Sequence, residues 1–253
     1  MNVLDSYLYS DQPARGRGTV VDRALQWCAW SGGDSLIAQP SGAAVGGTGV
    51  RDAERTRAEI LEVATHEFAD KGYAGARVDE IARRTRTTKR MIYYYFGNKE
   101  RLYLAALERA YAGIRAIEQR LDVEHLDPTA AVRQLAAVTF DHHEAHPDFI
   151  RLVTIENIHR ARHLARSEVL PGLADPALDV LSRILERGRA ERRFRADVDP
   201  LDVHMVISAF CVFRIANRYT FNTIFNRDML DPGRREHYRR MLGDLVVEYL
   251  TTR

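Results

Sequence analysis

Cysteine is scarce in this chain: of 253 residues only Cys28 and Cys211 carry a thiol, far apart and without CxxC spacing. That pattern provides neither a disulfide framework nor a cysteine zinc site, and a reducing, cytoplasmic setting is the expectation. No 18-residue window is free of charge, so no membrane-spanning helix is expected. No basic stretch followed by an apolar run opens the chain, so no secretory leader is expected either. The strict alternation of a half-buried strand is missing throughout. GxGxxG, GxSxG, HExxH and P-loop signatures are all absent, so the chain is expected to be no enzyme and to need neither cofactor nor metal. Charge of one sign is lacking too. With 37 Lys and Arg against 35 Asp and Glu the net charge is +2, so a nucleic-acid partner would have to be met by a local basic patch. Lysine itself occurs only at positions 71, 89 and 99.

What remains is helical. Ile60, Val63, Ala64 and Phe68 form one apolar stripe at i, i+3, i+4 and i+8, ended by Lys71-Gly72. A short helix over Val78–Thr85 has Asp79 and Glu80 in its first turn, where the dipole favours anions. Thr87 or Thr88 can cap a third helix running to Phe96, and Asn98 a fourth running toward Leu121. Asp127-Pro128, Pro147, Asp199-Pro200 and Asp231-Pro232 mark further starts, with helices ending near His146, Asn157, Phe225 and Leu250. Pro171 interrupts the middle of the body. The expectation is an all-α chain of about nine helices. Residues 1–50 read as a soft, glycine-rich extension with at most one short helix at Val20–Trp30. A small domain over 51–97 and a larger one over 98–253 follow.

Charge concentrates in one place. Arg83–Arg101 holds seven cations, Arg83, Arg84, Arg86, Lys89, Arg90, Lys99 and Arg101, against the single acid Glu100. Tyr93, Tyr94 and Tyr95 interleave with them. Cations neutralise phosphates, and tyrosine hydroxyls and helix N-termini donate to phosphate oxygens. Two short helices across a tight turn are the unit that lays its second helix in the major groove of DNA. The N-terminal residues Thr88, Lys89 and Arg90 then reach base edges, while Ile81, Ile92 and Phe96 face inward. The competing reading is a solvated basic hairpin.

Phe68, Gly72-Tyr73, Val78-Asp79-Glu80-Ile81-Ala82, Ile92-Tyr93-Tyr94-Tyr95-Phe96, Lys99-Glu100 and Leu102 stand in an order and spacing that resembles the DNA-binding domain of the tetracycline-repressor (TetR) family. The resemblance implies that Thr88, Lys89, Arg90 and Tyr94 face the groove. It implies that Thr87, Tyr93 and Lys99 hold backbone phosphate, and that Tyr95 and Phe96 pack inward. It further implies a second domain that dimerises and binds a small molecule, on a chain that represses from a palindromic operator until an effector releases it. There are two departures. Arg86 stands where the family often has glycine, and a left-handed backbone there would cost about 1 kcal/mol, so a different turn is expected. Ala76-Arg77 replaces the usual threonine or serine cap, leaving Arg77 as a further phosphate contact.

In the body, Leu201–Phe225 is apolar nearly all round and so must be buried on every side; a partner subunit is a reasonable second cover, the plainer reading being a core helix of a monomer. Gly233–Leu250 carries a matching stripe, and the two segments together form the expected homodimer interface. Glu156, His159 and His163 at i, i+3 and i+7 can share one helical face, either as metal ligands or, by the blander reading, as a salt-bridged surface. His142 and His146 form a weaker pair. Arg214 and Asn217 are polar within the apolar segment, and a buried arginine needs an acid such as Glu156 or an anionic ligand. The second option makes the effector an aromatic or other organic acid held by Arg214, with Phe149, Phe210 and Phe213 around it and Glu156, His159 and Asn217 as further candidate ligand contacts. The alternative to a regulator is a helical small-molecule carrier or enzyme whose basic hairpin is incidental. A DNA-binding structural protein without an effector is a third reading, which the long C-terminal body disfavours.

Overall fold

A computed structural model describes residues 48–251. The expectations for residues 1–47, the helix at Val20–Trp30 and Cys28 among them, lie outside the described residues. Within those residues the chain folds into ten α-helices and one short 3-10 turn, with no strand. The helices are α1 (Thr48–Gly75), α2 (Val78–Arg84), α3 (Lys89–Phe96), α4 (Lys99–Gln119), α5 (Pro128–Ala145), α6 (Pro147–Ile158), α7 (Pro171–Ala190), α8 (Pro200–Ala216), α9 (Arg218–Phe225) and α10 (Pro232–Thr251).

The three aspartate-proline starts carry the expected cap. Asp127 Oδ1 accepts from the Thr129 and Ala130 amides at 3.1 and 3.2 Å, and Asp199 Oδ1 from Leu201 at 2.7 Å. Asp231 Oδ1 accepts from Gly233 at 2.9 Å. Each bond satisfies an amide that the first turn leaves orphaned. Pro171 opens α7 rather than merely interrupting the body. Beyond α7, Phe194 folds back onto Gly188 so closely that a Cβ there would lie 1.9 Å from the ring, so only glycine fits.

Two cores and a small bridge form. The first gathers Ile60, Leu61, Phe68, Ile81, Ile92 and Phe96 from α1–α3 with Leu102, Tyr103, Ala106 and Leu107 of α4. The second joins α5, α7, α8 and α10 through Phe140, Leu181, Ile184, Val203, Ile207 and Leu242. Ile114, Phe149 and Ile150 form the bridge where α4 meets α6.

One expectation is corrected. The long helix to Phe225 breaks at Asn217, and α8 and α9 meet at 69°. Arg218 makes two bonds to Asp228, at 2.9 and 2.6 Å, tying the start of α9 to the loop that follows it. Nor is the segment buried all round. Val203, Ile207, Cys211 and Arg214 face the core, while Leu201, Met205 and Phe213 are about half exposed. No single helix among the described residues is long and apolar enough to cross a membrane; only the bent α8–α9 pair has the length and apolarity together.

Candidate nucleic-acid interface and effector region

The reader is α2, a four-residue turn and α3. Arg86 has φ 50°, so the turn keeps the left-handed conformation and the expected alternative geometry does not occur. The reason is the pair of bonds closing α2: Arg86 N–H donates to Arg83 O at 3.4 Å and Thr87 N–H to Ala82 O at 3.0 Å. This double closure requires a left-handed residue at position 86, whatever its side chain. Thr88 then caps α3, its Oγ1 accepting from Met91 N–H at 3.2 Å.

The far end of α2 lacks a side-chain cap, as Ala76-Arg77 suggested. Glu67, buried on α1, takes over part of that role. Its carboxylate accepts from Arg77 N–H at 3.3 Å and lies 3.8 Å from Arg84. Its anionic charge at a helix N-terminus is favourable. No capping motif in the sequence marks Glu67; its one signal is that it follows Ile60 by seven residues and therefore shares the apolar stripe's face.

Ile92 and Phe96 lock α3 onto the core. Thr88, Lys89 and Arg90 are exposed, Tyr94 is 79 % exposed, and Arg77 is exposed beside them. Thr87, Tyr93 and Lys99 are half-buried. Tyr93 and Tyr95 lay their rings on the core. Lys89 Nζ rests on Asp79 at 3.2 Å, an exposed pair that a DNA contact would replace at small cost. Lys99 Nζ donates to Ala74 O at 3.4 Å over the Tyr73 ring, and burial lowers its pKa. One exposed ridge thus carries hydroxyl, ammonium, guanidinium and phenol groups, the set that reads base edges and grips phosphates.

The seven residues proposed for the ligand do not converge. Phe149 lies in the α4–α6 bridge, Phe210 against the second core, and Phe213 points outward beside Phe221. Asn217 is an exposed cap. Arg214 is buried, but its partner is Glu144 at 2.9 Å with Met229 O at 3.0 Å, not Glu156. It lies 4.0 Å over the Phe140 ring. Glu144 and Asp141 also bind Arg235 and Arg239, so this arginine belongs to a network stapling α5 to α10.

The shared face of Glu156, His159 and His163 is also corrected. The helix ends at Ile158, Arg160 and Ala161 turn left-handed, and the chain doubles back. His159 is left exposed, while His163 returns to Glu156 at 2.7 Å. Glu156 further accepts from Tyr103 Oη at 3.0 Å and from the His163 and Leu164 amides. Burial pushes its carboxyl up, but the bonds from His163, Leu164 and Tyr103 together outweigh this and hold it below the ordinary range. Tyr103 is driven upward, first by burial and then by the neighbouring carboxylate. Its ring meets Phe68 at 4.9 Å and His163 at 4.9 Å, and Tyr73 meets His163 at 4.6 Å. This knot joins the reader's core to the body. No local pattern announced it, because its partners come from three separate stretches of chain.

The family model for bacterial regulatory proteins, tetR family, matches residues 60–106, and that for a tetracyclin repressor-like C-terminal domain matches 128–246. The repressor NicS of Pseudomonas putida is 35% identical over 205 residues, covering 80% of this chain and 97% of that protein. The repressor SCO4008 of Streptomyces coelicolor is 39% identical over 108 residues, 43% of this chain and 53% of that one. The solved structure of the putative regulator SCO4942 from Streptomyces coelicolor is 28% identical and superposes with a TM-score of 0.59, covering 77% of this chain and 98% of that one. With the ordered motif from Phe68 to Leu102 mounted on a helical body along almost the whole length of a relative, the chain belongs to the tetR family of bacterial transcriptional regulators.

Proposed function

We propose that this chain is a ligand-responsive repressor acting in the cytoplasm as a homodimer on a palindromic operator. The exposed ridge Thr88, Lys89, Arg90 and Tyr94 on a rigidly mounted α3 carries this reading. Arg77, Thr87, Tyr93 and Lys99 flank it as phosphate contacts. Two such ridges related by a two-fold axis address two half-sites one helical turn apart. Support for the dimer comes from α8 and α10. Leu201, Met205, Val206, Met241 and Leu245 are exposed on one chain, and α10 has a shallow groove lined by His237, Arg240, Met241, Asp244, Leu245 and Glu248. Large apolar side chains grouped outward at this scale mark an interface. A small molecule bound in the body releases the operator by favouring a different spacing of the heads. The test is fluorescence anisotropy with DNA from upstream of the gene across a salt series. Lys89→Ala with Arg90→Ala is expected to abolish competitor-resistant binding, and unchanged binding would remove the assignment.

A further inference from the structure

Where α4, α5, α6 and α8 meet, the body buries a cluster of rings. His142 is stacked under His146 at 4.2 Å and 22°, and lies 6.1 Å from Phe149. Phe149 meets His143 edge-on at 5.4 Å and Tyr111 at 5.2 Å. Ile114 and Ile150 complete the floor, with Val212 and Ile215 of α8 against it. The polar atoms here are placed unevenly. His143 Nδ1 bonds Thr139 O at 2.8 Å and His146 Nδ1 bonds His142 O at 2.9 Å. His142 Nδ1 is buried without any hydrogen-bond partner, on a side chain only 5% exposed. A buried polar atom left unpaired is costly, and a missing polar partner such as a bound group is one physical reason to retain one.

Charge indicates what is bound. The groups facing His142 are Arg115 from α4, His143 from its own helix and His146 from the cap that follows it. Tyr111 and Glu118 of α4 and His204 of α8 lie around the same arginine. Arg115 holds Glu118 at 2.5 Å, and Glu156, which also acts on Tyr111, is held by Tyr103 and His163, so both acids near the cluster are already engaged. An entering cation would meet a guanidinium and four imidazoles. An entering anion would meet the same guanidinium and could draw a proton onto His142.

We propose that this cluster is the effector site, and that it takes a small planar aromatic carboxylate whose ring packs against Phe149 and Tyr111 and whose carboxylate accepts a hydrogen bond from His142 Nδ1. His142 takes that proton from solvent as the anion enters, so net charge in the site is unchanged. His146, exposed at the end of α5, covers His142 and would have to be displaced for the ligand to reach it. Phe149 stands seven residues before Glu156 on the same face of α6. Displacing Phe149 therefore moves the helix that carries the knot beneath the reader. The inference rests on the reading of the chain as an effector-controlled repressor.

Calorimetric titration of the full chain with benzoate, in two buffers of different ionisation enthalpy, tests it without DNA. Benzoate is expected to bind with uptake of about one proton per site, and benzamide and benzylamine at least about tenfold more weakly. His142→Phe is expected to weaken benzoate at least about tenfold, and His142→Asn to keep more of the binding but lose the proton uptake. If both variants misfold, the wild-type preference and proton count decide. Failure of benzoate to bind at millimolar concentration, equal binding of benzamide, or undiminished binding to His142→Phe would overturn the proposal. Loss of operator binding by the wild type, measured separately, would remove the repressor reading and leave this site standing.

Discussion

Arg86 bears a left-handed backbone because the closing bonds of α2 demand it, so its side chain contributes strain rather than stability. Arg86→Asn is expected to stabilise the chain by up to about 1 kcal/mol, and the β-branched Arg86→Val to destabilise it by at least about that much, read by urea denaturation. Thr88→Ala should cost about 1 kcal/mol through the lost cap on α3. It should also weaken operator binding beyond that, since α3 then frays at the end that meets the bases. Arg90→Ala is expected to lower operator affinity by about 1–3 kcal/mol and relax specificity at one base pair, measured by anisotropy against single-base operator variants. At this scale the sequence was legible wherever the partner is local. Thr88, Asn98, Asp127, Asp199 and Asp231 bond amides two or three residues away. Glu67 was not legible, since it serves an amide ten residues on across a turn.

Between elements, the burial of His142 and His143 makes stability depend on pH. Burial pushes their imidazoles down, to about 3 and about 4. In the unfolded chain each takes a proton near pH 6.5. Below that value the unfolded state binds more protons, so stability is full above about pH 6.5 and falls as pH is lowered toward the folded values. Urea denaturation should show a loss of roughly 2 kcal/mol per imidazole between pH 7 and 5, and His143→Phe should flatten that limb. Helix starts were readable because aspartate-proline pairs encode them within two residues. The break at Asn217 was not readable, for it answers to Arg218 reaching Asp228. Arg214 likewise finds Glu144 seventy residues upstream. Burial of Arg214 was foreseeable from its apolar helix, but the identity of its partner depended on how α5 packs.

For the whole molecule, the outward apolar residues of α8 and α10 predict the assembly. Met205→Glu with Leu245→Glu is expected to leave a folded monomer in light scattering, with helicity unchanged by circular dichroism. Operator affinity should drop because the two half-sites are no longer held together. A variant that remains dimeric would place the interface elsewhere. The family and the all-α class could be read from the chain because the motif from Phe68 to Leu102 is ordered and local. The ligand-binding residues could not, because their meeting is a property of four packed helices. The core of the reader extends through Leu107 on α4, and the ring cluster begins with Tyr111 on its next turn. A chimera joined at Gly97, where the sequence suggests a seam, would strip Leu102, Tyr103, Ala106 and Leu107 from the head. Anyone transplanting this head onto another body should cut after residue 107 and supply replacements for Leu152 and Leu164, which close the same core from the body.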